Sequence, residues 1–271
     1  MNQMKLLAVV LISLTWFVTN AEVLGAEKNN QRPNIIVMMV DDMGFAGPSI
    51  APYNNPHYKT PGMDRLAREG MLFTDFHASG AICSATRAGL VTGRYQQRAG
   101  IEAVIHPYDT HPEHRKGLHV TEVTFAELFK NAGYSTGLVG KWHLGYAAET
   151  PAYHPMNHGF DYFMGYVSGN IDYINHWGDH MKHDWWHGRK ETEEEGYTTH
   201  LINKYALEFI EQNKDKPFCL YIAHESPHSP VQGPDDPIQR GPGAKKRTTP
   251  HAEAMKQMIL EMDKGVEQVR S

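Results

Sequence analysis

Apolar runs along the chain end repeatedly in polar clusters. Residues 34–40 (Asn-Ile-Ile-Val-Met-Met-Val) follow Pro33 and lead into Asp41, Asp42 and Gly44. A continuous apolar run with polar groups at its carboxyl end predicts a fully buried parallel strand. Thr60-Pro61-Gly62 predicts the start of a short helix closed by Gly70. There the threonine acts as cap, the proline sits in the first turn, and Met63, Leu66 and Ala67 lie on the inward face. Thr124 and Glu127 have capping-box spacing ahead of Leu128 and Phe129, and Gly133 separates that helix from a second apolar strand at 134–139. A third unit repeats the pattern. Leu201, Ile202, Tyr205, Ala206, Phe209 and Ile210 share one helical face, and the strand Phe218–Ala223 follows Lys216-Pro217. Met255, Met258, Ile259, Met262, Val266 and Val269 place a last helix over 252–269.

Strand, helix and strand in alternation predict an α/β fold with a mainly parallel central sheet and helices on both faces. Ligands in such sheets bind beyond the carboxyl ends of the strands, where loops converge and helix amino termini point inward. Asp41 and Asp42 follow the first strand, Lys141 and His143 the second, and His224 and His228 the third. The last helix has no following strand here to complete a βαβ unit, so the sheet is expected to be incomplete at its C-terminal end.

Composition narrows the picture. With 271 residues, 41% of them hydrophobic, the chain can bury a sizeable core, which excludes wholesale disorder. A formal net charge of −5 gives no basic surface for nucleic acid, and Lys245-Lys246-Arg247 reads as a solvated loop. Lys5, an apolar stretch at 6–18 broken only by Ser13 and Thr15, and small residues at Ala21 and Ala26 describe a secretory signal over 1–26. That stretch is short for a membrane span, though an uncleaved anchor is the alternative. The mature protein is therefore expected to be exported, periplasmic or secreted, with no stable membrane span. Export makes Cys83 and Cys219 eligible for a disulfide, which spacing does not decide, and Cys219 reads as a small buried thiol.

Asp41 and Asp42 offer adjacent hard oxygens of the kind calcium or magnesium takes, and the alternative is a turn with solvated acids. Cys83-Ser84-Ala85-Thr86-Arg87, continued by Gly89-Leu90-Val91-Thr92-Gly93-Arg94, is more specific. It resembles the sulfatase signature of cysteine, any residue, proline or alanine, any residue, arginine, with its Leu-x-Thr-Gly-Arg continuation. Gly140-Lys141-Trp142-His143-Leu144-Gly145, Gly159-Phe160-Asp161 and Ser226-Pro227-His228-Ser229-Pro230 extend the likeness. The sequence thus resembles the formylglycine-dependent sulfatases of the alkaline-phosphatase-like superfamily, nearest the arylsulfatase and N-acetylgalactosamine-4-sulfatase type.

The resemblance implies hydrolysis of an aryl or carbohydrate sulfate ester. Cys83 would be oxidised to formylglycine (3-oxoalanine) by a formylglycine-generating or sulfatase-maturing enzyme, and its hydrate would attack sulfur. Asp41, Asp42 and the modified Cys83 would contact Ca2+, with Mg2+ less suited. Arg87 would hold the nucleophile's loop, Lys141 would contact sulfate, and His143 would orient or deprotonate the hydrate. His228 would contact sulfate or protonate the leaving oxygen, and Ser168 would be a further sulfate contact. Relatives of this type continue into a strand ending in an Asp-Asn-Gly metal motif, a later lysine and a smaller C-terminal domain. Residues 27–271 are therefore expected to be the N-terminal portion of the catalytic domain, in a fragment that turns over little by itself.

These roles have a physical basis. A sulfate ester gains charge on its oxygens in the transition state, and fixed cations with a divalent metal stabilise it. Two further functions are open: phosphate or phosphonate ester hydrolysis on the same fold, and non-catalytic binding of sulfated glycans. His176, His180, His183 and His187 with Trp177, Trp185 and Trp186 form a last cluster. Zinc is possible by composition, and aromatics stacking on a sugar or aryl group is the preferred reading.

Overall fold

The computed structural model describes residues 32–44, 47–106, 108 and 112–270, so the proposed signal over 1–26 lies outside the described residues. Contacts divide the chain into Met1–Pro33 and Asn34–Ser271, and the second unit is the body described below. Its sheet comprises β1 (Ile35–Met39), β2 (Ser135–Lys141), β3 (Tyr162–Tyr166), β4 (Trp186–His187), β5 (Lys190–Glu191) and β6 (Phe218–Ala223). The order is β1-β6-β2-β3-β4-β5. β1, β6, β2 and β3 run parallel, while β4 and β5 form an antiparallel hairpin at one edge.

Period-two alternation sends neighbouring residues of each strand into different cores. Leu138, Phe163 and Tyr221 face one, packed with α2 (Cys83–Thr92) through Ala88 and Val91 and with α3 (Phe125–Asn131) through Ala126. Val139, Met164, Leu220 and Ile222 face the other, covered by α4 (Thr198–Asn213) through Leu201, Ile202, Tyr205 and Phe209. Helices thus lie on both faces, as the alternating pattern requires.

β2 runs two residues beyond the expected strand, so Lys141 belongs to the strand itself. Gly140 makes that possible at φ +106, paired with Ala223 on one side and Gly165 on the other. A Cβ at Gly165 would overlap the Gly140 carbonyl, so two glycines let the backbones meet just below the charged strand end.

The first helix, α1 (Pro61–Glu69), departs from expectation in its cap and its face. Thr60 makes no side-chain cap; its hydroxyl donates to Asp64 at 2.9 Å. The free amides of Gly62 and Met63 donate instead to the carboxylate of Asp263, at 2.9 and 2.8 Å, on the last helix α5 (His251–Arg270). Leu66 is exposed and Gly62 is the buried position, because α1 lies alongside α5 with Gly62 against Asp263, Arg65 paired with Glu267 and Glu69 paired with Arg270. Asp263→Ala is expected to lower stability by about 1–2 kcal/mol, the loss of a helix cap, read as a fall in urea midpoint. An unchanged midpoint would show that solvent serves those amides equally well. The capping box of Thr124 and Glu127 on α3 is present as expected.

Candidate active site

The site is built on the carboxyl ends of β1, β2 and β6 and on the first turn of α2. Cys83 opens α2, partly exposed, and Arg87 follows one turn later on the same helical face. Arg87 is 1% exposed. Its Nη1 donates to the Lys141 carbonyl at 3.0 Å and to the Tyr221 hydroxyl at 3.2 Å, and its Nη2 donates to Asp41 Oδ2 at 3.3 Å. Buried Lys141 donates to the same Asp41 oxygen. Burial alone would raise the Asp41 pKa, but Lys141 and Arg87 outweigh it and hold the carboxyl far below the usual carboxylate range. Burial would likewise lower the Arg87 pKa, and Tyr221 and Asp41 outweigh it in the opposite sense. One carboxylate between two cations leaves one surplus positive charge, poorly screened, at the sheet's carboxyl edge.

His143 sits just past β2 in the left-handed region, at φ +52. Its Nε2 lies 2.9 Å from the Ile105 carbonyl, which can only accept, so the proton belongs on Nε2. Nδ1 then carries a lone pair and is buried without a partner. Burial first, then Lys141, pushes this imidazole down to about 3, so it is a neutral base at ordinary pH. The Ile105 amide donates to Ser84 Oγ at 3.1 Å, so one backbone segment holds both His143 and the residue after Cys83.

Asp42 also has positive φ, at +61, and its exposed carboxylate lies 3.6 Å from His228 Nε2. His228 Nδ1 donates to the Ser229 carbonyl at 2.7 Å. Ser168 lies two residues past β3, fully buried, with its hydroxyl given to the Asn170 carbonyl at 3.2 Å and its amide to Asp184 at 2.7 Å. The fold therefore joins Asp41, Arg87 and Lys141 directly, pairs Asp42 with His228, and sets Cys83, His143 and Ser168 on neighbouring strand or helix ends.

Sequence reasoning missed two buried acids. Asp184 is 1% exposed and holds the Val167 and Ser168 amides. Glu225 is 0% exposed and accepts the Ile171 amide at 2.9 Å. Glu225 lies two residues past a wholly apolar strand, which marks its place at the sheet end but not its burial or its partner.

The histidine and tryptophan cluster corrects the ligand-stacking reading. Trp185 and Trp186 point into the two cores, His176 stacks on Trp185 at 4.8 Å, and His187 pairs with Glu194 at 2.9 Å. Only half-buried Trp177 lines a cleft, with His183 and Glu193. Both cysteines are free, and burial pushes the Cys219 thiol up to about 12, which marks it as a packing residue. Among the described residues, no group of three or more His, Cys, Asp or Glu is arranged to hold a metal. Asp41 and Asp42 still fit a hard cation by donor chemistry, since both cations share Oδ2 of Asp41 and the carboxylate of Asp42, beside His228, is exposed.

The sulfatase family model matches residues 33–271. The chain is 36% identical over 236 residues to N-acetylgalactosamine-6-sulfatase of Canis lupus familiaris, covering 79% of this chain and 43% of that protein. It is 40% identical over 144 residues to human steryl-sulfatase, covering 52% of this chain and 24% of that protein. Among solved structures, Ps i-CgsB superposes with a TM-score of 0.75 at 28% identity, covering 89% of this chain and 54% of that one. BT4656, solved with D-glucosamine-2-N,6-O-disulfate, gives 0.59 at 29% identity, covering 75% and 36%. The chain spans under half the length of the first of these curated relatives. The family match over residues 33–271, with the identity to curated sulfatases, shows that this chain belongs to the sulfatase family.

Proposed function

We propose that this chain carries the nucleophile and oxyanion pocket of a sulfate ester hydrolase, acting on a sulfated carbohydrate or aryl sulfate. The supporting observation is the buried Arg87–Asp41–Lys141 group one helical turn from Cys83. Its surplus cation is where an ester's sulfonate oxygens gain charge, and its rigidity means no reorganisation is needed as they do. Solved relatives point to sugars: Ps i-CgsB is known in complex with k-i-k-neocarrahexaose and BT4656 with a disulfated glucosamine.

Cys83, matured to formylglycine, supplies two hydroxyls as the hydrate. One, having given its proton to solvent, attacks sulfur as the ester oxygen leaves, and the other, on losing its proton, re-forms the aldehyde and expels sulfate. His143 Nδ1 is the lone pair available to take that proton, and His228, whose Nδ1 proton is held by the Ser229 carbonyl, can give one from Nε2 to the leaving alcohol in its doubly protonated form. Lys141 and Arg87 hold the oxyanion. Asp41 and Asp42 would hold calcium, with magnesium less suited, as part of the roughly six to eight oxygens such an ion takes. Bound there, the ion would act as a Lewis acid on a sulfonate oxygen. This chemistry calls for a maturation enzyme, the signal-like residues 1–26 support export, and among the described residues no helix is long and apolar enough to cross a membrane.

The test is co-expression with a sulfatase-maturing enzyme, then mass spectrometry of the peptide containing Cys83. The aldehyde is expected in place of the thiol, with turnover of a sulfate ester exceeding that of the matched phosphate ester. An intact thiol, with turnover that survives Cys83→Ala, would sink the reading.

A further inference from the structure

Two loops at the carboxyl edge carry candidate substrate contacts, and one buried acid ties them together. Glu225 follows β6, three residues before His228, and its Oε1 accepts the Ile171 amide at 2.9 Å, three residues after Ser168. The Glu225 carbonyl in turn accepts the His228 amide at 2.8 Å, and the Tyr173 hydroxyl donates to the His228 carbonyl at 3.0 Å. The second carboxyl oxygen, Oε2, is buried without a partner. So is the hydroxyl of Tyr166 at the end of β3.

We propose that Glu225 is a positioning residue for the oxyanion pocket: its carboxyl and carbonyl brace the Ser168 loop against the His228 loop. This inference rests on the oxyanion reading of the site. The groups that act on the carboxyl are Lys141 on β2, Asp41 after β1, Tyr166 on β3, and Tyr173, Tyr197 and Arg240 on the loops that close over it. Burial dominates them and raises its pKa to about 8, against the lowering by Lys141. Below that pH, Lys141 and Arg87 face a single anion, Asp41. Above it, a second carboxylate balances the second cation and opposes an incoming sulfate. Loss of the Glu225 proton should therefore weaken anion binding as pH rises, by about tenfold for one charge added in a partly screened pocket.

The probe is inorganic sulfate, titrated between about pH 7 and pH 9 in a Cys83→Ser background that removes the reactive thiol. Affinity is expected to fall with pH in that parent and to stay level in Glu225→Gln, which keeps both an acceptor for Ile171 and neutrality. Two further readouts do not need sulfate. The infrared difference between parent and Glu225→Gln near pH 7 should contain a protonated carboxylic acid band. Glu225→Ala should speed hydrogen exchange at the Ile171 amide by about tenfold or more. An absent acid band, an unchanged Ile171 exchange rate, or the same alkaline decline in Glu225→Gln would overturn the proposal. Sulfate binding absent from every variant at every pH would instead overturn the oxyanion reading, while the infrared and exchange results still decide the role of Glu225.

Discussion

Lys141→Met is expected to reduce turnover of a sulfate ester by more than about a thousandfold and to destabilise the fold by about 3–5 kcal/mol. Both effects come from one contact. Lys141 is 0% exposed, and its ammonium meets Asp41 Oδ2 beside Arg87. Methionine fills much the same volume but leaves Asp41 with a single cation, and a buried charge stripped of its main partner costs far more than a lost surface pair. The carboxyl's pKa should then return toward the ordinary range, because Lys141 is the largest influence lowering it. Asp41→Asn added to Lys141→Met removes the stranded charge as well. The double variant should recover most of the lost stability and none of the activity. Urea midpoints and initial rates on the four members of this cycle check both halves. Equal stability losses in the single and double variants would show that packing, not the stranded carboxylate, is responsible.

That cycle also shows which parts of the site were legible in the sequence. Asp41, Lys141, His143 and His228 each fall at the end of an apolar strand, so periodicity located them, and the Cys83 to Arg87 motif supplied the chemistry. β1, β2 and β6 were visible because apolar runs are bounded by proline, glycine or acid pairs. β3 and α2 were not. β3 is five residues interrupted by Gly165, too short to carry a pattern. The buried face of α2 is made of Ser84, Ala85, Ala88 and Gly89 around Arg87, with Val91 its one large apolar residue, so no apolar period marks it. Asp263 and Glu225 were invisible for another reason. Their partners lie 200 and 54 residues away, and nothing local distinguishes a buried acceptor from a solvated one. Leu66 was read as inward because helical period alone cannot tell a face that packs from one left open.

Acid is expected to unfold the chain steeply, at a pH set by histidines rather than carboxylates. Burial holds His154, His158, His176 and His224 at about 4 and His143 at about 3, all neutral in the fold. In the unfolded chain each titrates near about 6.5. Between about pH 6.5 and pH 4 the unfolded state therefore binds up to five more protons at these positions, and stability falls as pH falls. Glu225 acts in the opposite sense: with its pKa at about 8, it holds a proton in the fold that the unfolded chain gives up above about 4.5. Five histidines less this acid leave a net uptake of about four, which the raised carboxyls of Asp184 and Asp263 reduce toward the acid end. At about 1.4 kcal/mol per proton per pH unit, the slope approaches about 5 kcal/mol per pH unit, enough to exhaust a typical domain's stability within two units. Asp41 works only at the far acid end, because its depressed pKa keeps its stabilisation in place until the pH falls through it. The most direct check is His224→Met, since neither ring nitrogen of His224 has a partner and its pKa is lowered by burial alone. Removing it forfeits no hydrogen bond and deletes one of the four net protons. The dependence of urea midpoint on pH between about 6.5 and 5 should flatten by about a quarter, with the variant more stable than its parent at the acid end. Parent midpoints that stay level across that window would mean these imidazoles accept protons in the folded state, and that water reaches them.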